Sequence, residues 1–416
     1  MSESPARNVS PATGATTDRA PGLVQLVLLL AGSCLSVLGA VLIAPVLPQL
    51  ARAFTGTPGV DVLVPIVLTA PALLIGLTAP FAGFIVDRID RKRLLIFAMP
   101  AYAIFGTAPL YLTSLTTILA SRVLVGLCEG AIMTCCTTLI GDYWSGPRRA
   151  RYLGLQTLVA TLSATAFLAL GGALGAAGWR TPFWLYAVAA PLAIPMARKL
   201  WPPTPPNEPA KHLPALPWRQ LAAPCLVTLF GGIVFYALIV ELSFVLTDVG
   251  VTSTGTIGLI SAVMSLGTAA GAIAFGRRSA KAPRALLPVE FGLSAAGLLL
   301  VFATTSPAII TVGAVLTGFG TGMLLPTLVT WAVGRLSFEQ RGRGTGLWTG
   351  ALFIGEFAAP LALAAIGTGT GGLRGALAVL GLASAVMGVL TAFVLRRGDR
   401  PLDGSEATPE PAPVRS

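Results

Sequence analysis

Charge is what this 416-residue chain has least of: Asp, Glu, Lys and Arg together make up 11% of it, against about 25% in a soluble globular domain. A water-soluble fold is therefore excluded. Histidine is almost missing, and the single one, His212, stands in a Pro-rich stretch where it makes no credible catalyst. Cysteine is scarce, and Cys34, Cys128, Cys135, Cys136 and Cys225 all fall in apolar runs without the spacing of a zinc site. They read as small packing residues. No Gly-rich phosphate loop is present, which argues against direct ATP coupling. No cluster of His, Cys or carboxylates of the kind an enzyme needs is visible, so neither an enzyme nor a bound metal or cofactor is expected.

What the chain has is apolar residue in long runs, with hydrophobic residues at 54% and mean hydropathy +0.80. The runs lack the polar/apolar alternation of a membrane barrel strand, so helices are the expected form. The few basic residues are not scattered. Of 28 Lys and Arg, all but Arg52, Arg122, Arg180 and Arg374 lie in seven short polar stretches. Between successive stretches the chain runs apolar, turns briefly and runs apolar again. Six such hairpins make twelve crossings, and every basic stretch falls on one side. Basic residues are retained on the cytoplasmic side during insertion, so both tails and the middle loop are expected there. The net charge of +11 is thereby explained without a nucleic-acid partner. The sequence predicts an all-α membrane protein embedded in a lipid bilayer, with twelve transmembrane helices in two pseudo-symmetric six-helix bundles. The excess of Arg over Lys, with abundant Ala and Gly, fits a bacterial inner (plasma) membrane.

The expected spans are about 23–47, 62–86, 94–112, 115–140, 153–177, 182–197, 221–246, 256–275, 286–303, 308–333, 345–366 and 375–395. Most reach the ~20 residues that a helix needs to cross the hydrocarbon. The first follows a Ser/Pro/Ala/Thr tail over 1–22 and is too long for a signal-peptide core. Seven prolines between Pro202 and Pro217 mark a linker, taken as 198–220. It separates bundles over 23–197 and 221–396, and a second tail covers 397–416. The bundles are related: RARYLGLQT at 149–157 matches RGRGTGLWT at 341–349, and the same offset carries Gly126 to Gly318 and Gly130 to Gly322. Parallel six-helix repeats place a substrate path at their interface, with alternating access by rocking.

Two motifs then resemble those of the major facilitator superfamily. Between spans two and three, Gly83-Phe-Ile-Val-Asp87-Arg88-Ile-Asp90-Arg91-Lys92-Arg93 fits G-x-x-x-D-R-x-G-R-[RK]-[RK] except at Asp90, where glycine is usual. Asp tolerates the tight turn expected there better than most residues. In span four, Arg122-Val-Leu-Val-Gly126-Leu-Cys-Glu129-Gly130 looks like R-x-x-x-G-x-x-x-G. A third signature, G-x8-G-x3-G-P-x2-G-G, is matched in span five only at Gly154, Gly171 and Gly172, and its Gly-Pro kink is missing.

The resemblance implies a monomeric secondary transporter of a small-molecule substrate. It is most like the drug–proton antiporter branch, exporting a small organic molecule in exchange for protons. The missing kink keeps open an uptake permease or facilitator. The resemblance also implies a cytoplasmic gate of Gly83, Asp87, Arg88 and Arg91, with Asp87 facing the start of helix eleven near Gly344 to Gly346. It associates Arg122 with proton transfer, and it implies helix packing at Gly126, Gly130, Gly154, Gly171 and Gly172.

The residues themselves add candidates. Arg122 and Glu129 are seven apart and share one helix face across two turns. A charge inside a span costs roughly 2.5–3.5 kcal/mol by the lower estimates, so Arg122 is expected to face a cavity or partner. Glu356 in span eleven and Glu241 in span seven are further candidates, since a carboxyl in hydrocarbon favours its neutral form and can carry a proton. Glu290 is expected at the membrane interface, Asp142 and Asp248 at helix ends, and Trp184 and Tyr186 in the aromatic belt. Trp331 and Trp348 read as packing residues.

Overall fold

The structure is a computed structural model; it describes residues 20–88, 90–202, 215–278, 282–337 and 340–395, without the side chains of 82–88. Every regular element among the described residues is helical. The first half contains α1 (Leu23–Val41), α2 (Leu47–Ala53), α3 (Val60–Arg88), α4 (Arg91–Thr107), α5 (Leu115–Tyr143), α6 (Gly146–Gly175) and α7 (Ala189–Lys199). The second contains α8 (Trp218–Asp248), α9 (Thr254–Gly276), α10 (Pro283–Ala303), α11 (Pro307–Val333), α12 (Arg341–Thr370) and α13 (Leu373–Val394). Among the described residues, eleven segments are long and apolar enough to cross a membrane, the first being α1 and α2 together. The remaining crossing joins a 3-10 turn over Thr181–Val188 to α7; at ~2.0 and ~1.5 Å per residue the two reach about 32 Å, enough for the hydrocarbon.

Apolar side chains point both ways. Leu29, Leu68, Phe183 and Leu324 are fully buried, whereas Phe97 and Phe393 are 76% and 83% exposed. Large exposed apolar residues on nearly every long helix are what a hydrocarbon solvent allows and water does not. The protein is a multi-pass membrane protein of two six-helix bundles.

The bundles meet along three helix pairs: α3 with α12, α6 with α9, and the α1–α2 region with α8. The end bearing Arg91, Arg148 and Arg277 is called the basic end below, and the opposite one the far end. Small residues set the approach. A Cβ on Gly172 of α6 would stand 2.7 Å from the Cα of Gly258 in α9, and one on Gly346 of α12 would stand 2.8 Å from the carbonyl of Ala79 in α3. The α6–α9 contact lies toward the far end and the α3–α12 contact from mid-membrane toward the basic end.

The first span is not one helix, as expected from sequence. It stops at Val41, turns through a 3-10 segment over Ala44–Val46 and resumes as α2. Pro45 and Pro48 are the cause, because neither can donate the N–H that the carbonyls four residues earlier require. The carbonyls of Gly39 and Ala40, in the last turn of α1, become acceptors for side chains. The fifth span starts earlier than expected, so Arg149 and Arg151 lie inside α6 rather than before it.

Candidate functional site

Arg122 is wholly buried in α5, with 0% exposure. Its Nε donates to the carbonyl of Val67 in α3 at 3.3 Å, and its Nη2 donates to the carbonyl of Gly39 at 3.2 Å and to the Tyr186 hydroxyl at 2.8 Å. The guanidinium carbon also lies 5.0 Å from the centroid of the Tyr186 ring. Two α1 and α3 carbonyls and one tyrosine therefore hold a cation in the interior, where an unpaired charge would be severely destabilising.

Glu129, two turns along the same face, is 2% exposed. Its carboxyl occupies the space where a side chain on Gly39 would be, so the backbone of one glycine separates it from Arg122. Arg122 Nη1 and Glu129 Oε2 have no hydrogen-bond partner among the described residues. Buried polar atoms left in this state call for a specific explanation, and an exchangeable water, ion or ligand is one of the few available.

The second bundle completes the cluster. Glu356 of α12, 5% exposed, is an electrostatic neighbour of Glu129. Tyr236 of α8 is a neighbour of Glu356, Glu129, Arg122 and Tyr186, and its hydroxyl donates to the Ala40 carbonyl at 2.5 Å. Tyr102 of α4 donates to the Leu35 carbonyl at 2.6 Å, and its ring centroid is 5.2 Å from that of Tyr186. One cation, two carboxyls and three tyrosines thus sit together at the meeting of both bundles. No group of three or more His, Cys, Asp or Glu able to hold a metal occurs among the described residues.

Several expectations need correction. Tyr186 is not a belt residue: it is fully buried while Trp184 is 56% exposed. The sign of this lay in Gly106, which leaves room in α4 for the Tyr186 ring. Glu290 is not interfacial either. It is fully buried between α10 and α11, where its Oε1 accepts from Thr327 at 2.6 Å. Glu241 is buried in α8 but is not an electrostatic neighbour of the cluster among the described residues. Trp331 and Trp348 are both buried in the second bundle.

The glycines divide. Gly126 meets Pro71 of α3, Gly171 meets the Leu42 carbonyl at the break after α1, and Gly172 meets α9. Gly130 has only ordinary contacts, and nothing lies within 4 Å of a Cβ placed on Gly154, so close packing is not its role.

At the basic end, Asp90 does not serve a glycine-like turn. It caps α4, its Oδ1 accepting from the backbone N–H of Lys92 at 2.9 Å and of Arg93 at 3.3 Å. Arg91 pairs with Asp142 at the end of α5, a bond within the first bundle. The side chains of Gly83, Asp87 and Arg88 lie outside the described residues.

Comparison with known proteins fits this architecture. A bacterial homologue of the human lysosomal transporter Spinster, solved in an inward-facing and unoccupied conformation, aligns over 88% of this chain and 95% of its own at TM-score 0.70 and 19% identity. A D-xylose–proton symporter aligns over 92% and 98% at TM-score 0.76 and 12% identity. In sequence, the chain is 26% identical over 330 residues to a 3-(3-hydroxyphenyl)propionate transporter of Escherichia coli, covering 74% of this chain and 77% of the relative. It is 30% identical over 167 residues to the class C tetracycline resistance protein of Escherichia coli, covering 39% and 41%. The model of the Major Facilitator Superfamily matches residues 29–252 and 224–416, and with two six-helix bundles meeting at a buried polar cluster, this transporter chain belongs to that superfamily.

Proposed function

We propose that the protein exports a small organic molecule across a bacterial inner membrane in exchange for protons, and that Arg122, Glu129 and Glu356 form the coupling centre. The observation that carries this reading is the pair of buried, unpartnered atoms Arg122 Nη1 and Glu129 Oε2, in electrostatic reach of Glu356 from the other bundle. The ionised Glu129 carboxylate, beside Arg122, accepts either a proton or a cationic or hydrogen-bond-donating group of the substrate, and the two compete for it. A site that holds either ligand but not both exchanges them. Rocking of the bundles, 23–197 against 221–396, around this site then exposes it to each side in turn. Each proton brings about 2.3 kcal/mol per 100 mV of membrane potential.

In this reading both termini face the cytoplasm, as the basic end does. Gly83, Asp87, Arg88 and Arg91 gate that end, and the protein works as a monomer. Arg91 acts through Asp142, to which it is already tied.

A second reading is uptake of an aromatic acid. It is supported by the likeness to the hydroxyphenylpropionate transporter over most of the chain and by Arg122 with three tyrosines around it, a cation for a carboxylate and rings for an aromatic group to pack against.

Everted vesicles loaded with a pH dye distinguish the two. Substrate added outside should drive proton release if the protein is an antiporter, and Glu129→Gln and Glu356→Gln should each remove that signal. Normal coupled transport by both variants would sink the coupling proposal. Substrate accumulation in whole cells that tracks the inward proton gradient would favour uptake.

A further inference from the structure

On the outer flank of the second bundle, α9 and α11 pack backbone to backbone. Gly271 of α9 lies against the carbonyl of Phe319, and Gly322 of α11 lies against that of Thr268. Beside this contact runs a groove of about 530 Å³ lined by Ala270, Ile273, Ala274, Phe319, Arg277 and Arg278. Ala270, Ile273, Ala274 and Arg277 recur at i, i+3, i+4 and i+7, so they share one face of α9. The two alanines are too small to fill the flank between Ile273, which is 56% exposed, and Phe319. The groove leads about 10 Å along the helix, at ~1.5 Å per residue, from an apolar slot to two consecutive arginines where α9 ends.

Both arginines are exposed, and neither side chain has an ion pair or hydrogen-bond partner among the described residues. The carbonyl end of α9 favours cations there, which accounts for one positive residue near the axis. Retention of basic residues on that side during insertion accounts for a pair there, and the groove adds an apolar slot directly beside the pair.

We infer that this groove binds an anionic phospholipid from the leaflet at the basic end. One acyl chain lies over Ala270 and Ala274 against Phe319, and the phosphate is held by Arg277 and Arg278. The chemistry is that of a basic pocket between transmembrane helices at headgroup level. Guanidinium groups suit it because they can grip a phosphate through two parallel N–H donors. The inference is independent of what the protein transports.

Native mass spectrometry of the full-length protein, exchanged from detergent into equal mixtures of phosphatidylglycerol and phosphatidylcholine, tests it. The wild type should retain phosphatidylglycerol preferentially. Arg277→Gln and Arg278→Gln should each weaken that retention about fivefold, since one charge near an anionic headgroup is worth about 1 kcal/mol. Ala274→Trp fills the slot without touching the charge and should release the lipid while the arginines stay. Arg277→Lys/Arg278→Lys, checked for an unchanged melting temperature, should keep most of the preference. Equal retention of the two lipids, unchanged preference in the glutamine variants, or full displacement by inorganic phosphate at millimolar concentration would each overturn the assignment.

Discussion

Arg122 and Tyr236 come from different bundles and take hold of adjacent carbonyls: Arg122 binds that of Gly39, at 3.2 Å, and Tyr236 that of Ala40, at 2.5 Å. The buried cluster and the contact between the two bundles are thus joined through two consecutive peptide units of α1. Losing a hydrogen bond of this kind changes an equilibrium by about 1 kcal/mol. Tyr236→Phe should therefore shift the population by about fivefold toward conformations open at the far end, with folding intact. Spin-label distances between the ends of α2 and α8 report this, and an unchanged distance distribution would mean that the bond does not contribute to closure.

Arg122 is held by three acceptors that a lysine ammonium cannot reach in the same planar arrangement. Arg122→Lys should fold but transport poorly. Arg122→Ala should lower the melting temperature sharply, since breaking a buried charge pair costs about 3–5 kcal/mol. Combining it with Glu129→Gln should recover part of that loss without restoring transport, because the second change removes the uncompensated carboxylate. Thermal melting of the four proteins in one detergent gives the comparison.

Asp90 stands where the related motif carries glycine, and restoring the glycine should harm the protein. Asp90→Gly removes the acceptor for two N–H groups at the start of α4, at a cost of roughly a few tenths of a kcal/mol. Asp90→Asn retains a capping oxygen and should melt close to the wild type. If Asp90→Gly melts higher, turn strain outweighs the cap.

Gly172 and Gly258 face each other across the α6–α9 contact, and a Cβ on Gly172 would stand 2.5 Å from the Thr254 carbonyl. Gly172→Val should push the bundles apart and reduce transport at least tenfold while the protein still inserts. Gly154→Ala, placed in open space, should leave transport unchanged. Equal rates for both variants would remove the reason for close approach at this pair.

The crossings and the burial of Arg122 were legible from sequence because each follows from a local rule. Charge in hydrocarbon is costly, so the basic residues marked the loops and the one exception marked the interior. The seven-residue spacing of Arg122 and Glu129 placed them on one helix face. The other members of the cluster depended on contacts that no short window contains. Tyr186 is buried because Gly106, eighty residues earlier, makes room for it. Tyr236 matters because α1 breaks two hundred residues before it. Glu290 lies near a helix end in sequence, but Thr327 of α11 and the backbone approach at Gly320 enclose it. Asp90 was read by its tolerance of turns, whereas its short side chain is used for its oxygen.

The interruption at Pro45 gives the main chain of α1 a function usually assigned to side chains. Gly39 and Ala40 are recognised through their carbonyls, so no substitution at either residue can delete the recognised atom. A change at Pro45 that let the helix run on would re-aim both carbonyls along the helix axis at once. Arg122 and Tyr236 would lose their aligned partners together, and a conservative replacement in an apolar segment would loosen the buried cluster and the contact between the bundles as a single phenotype.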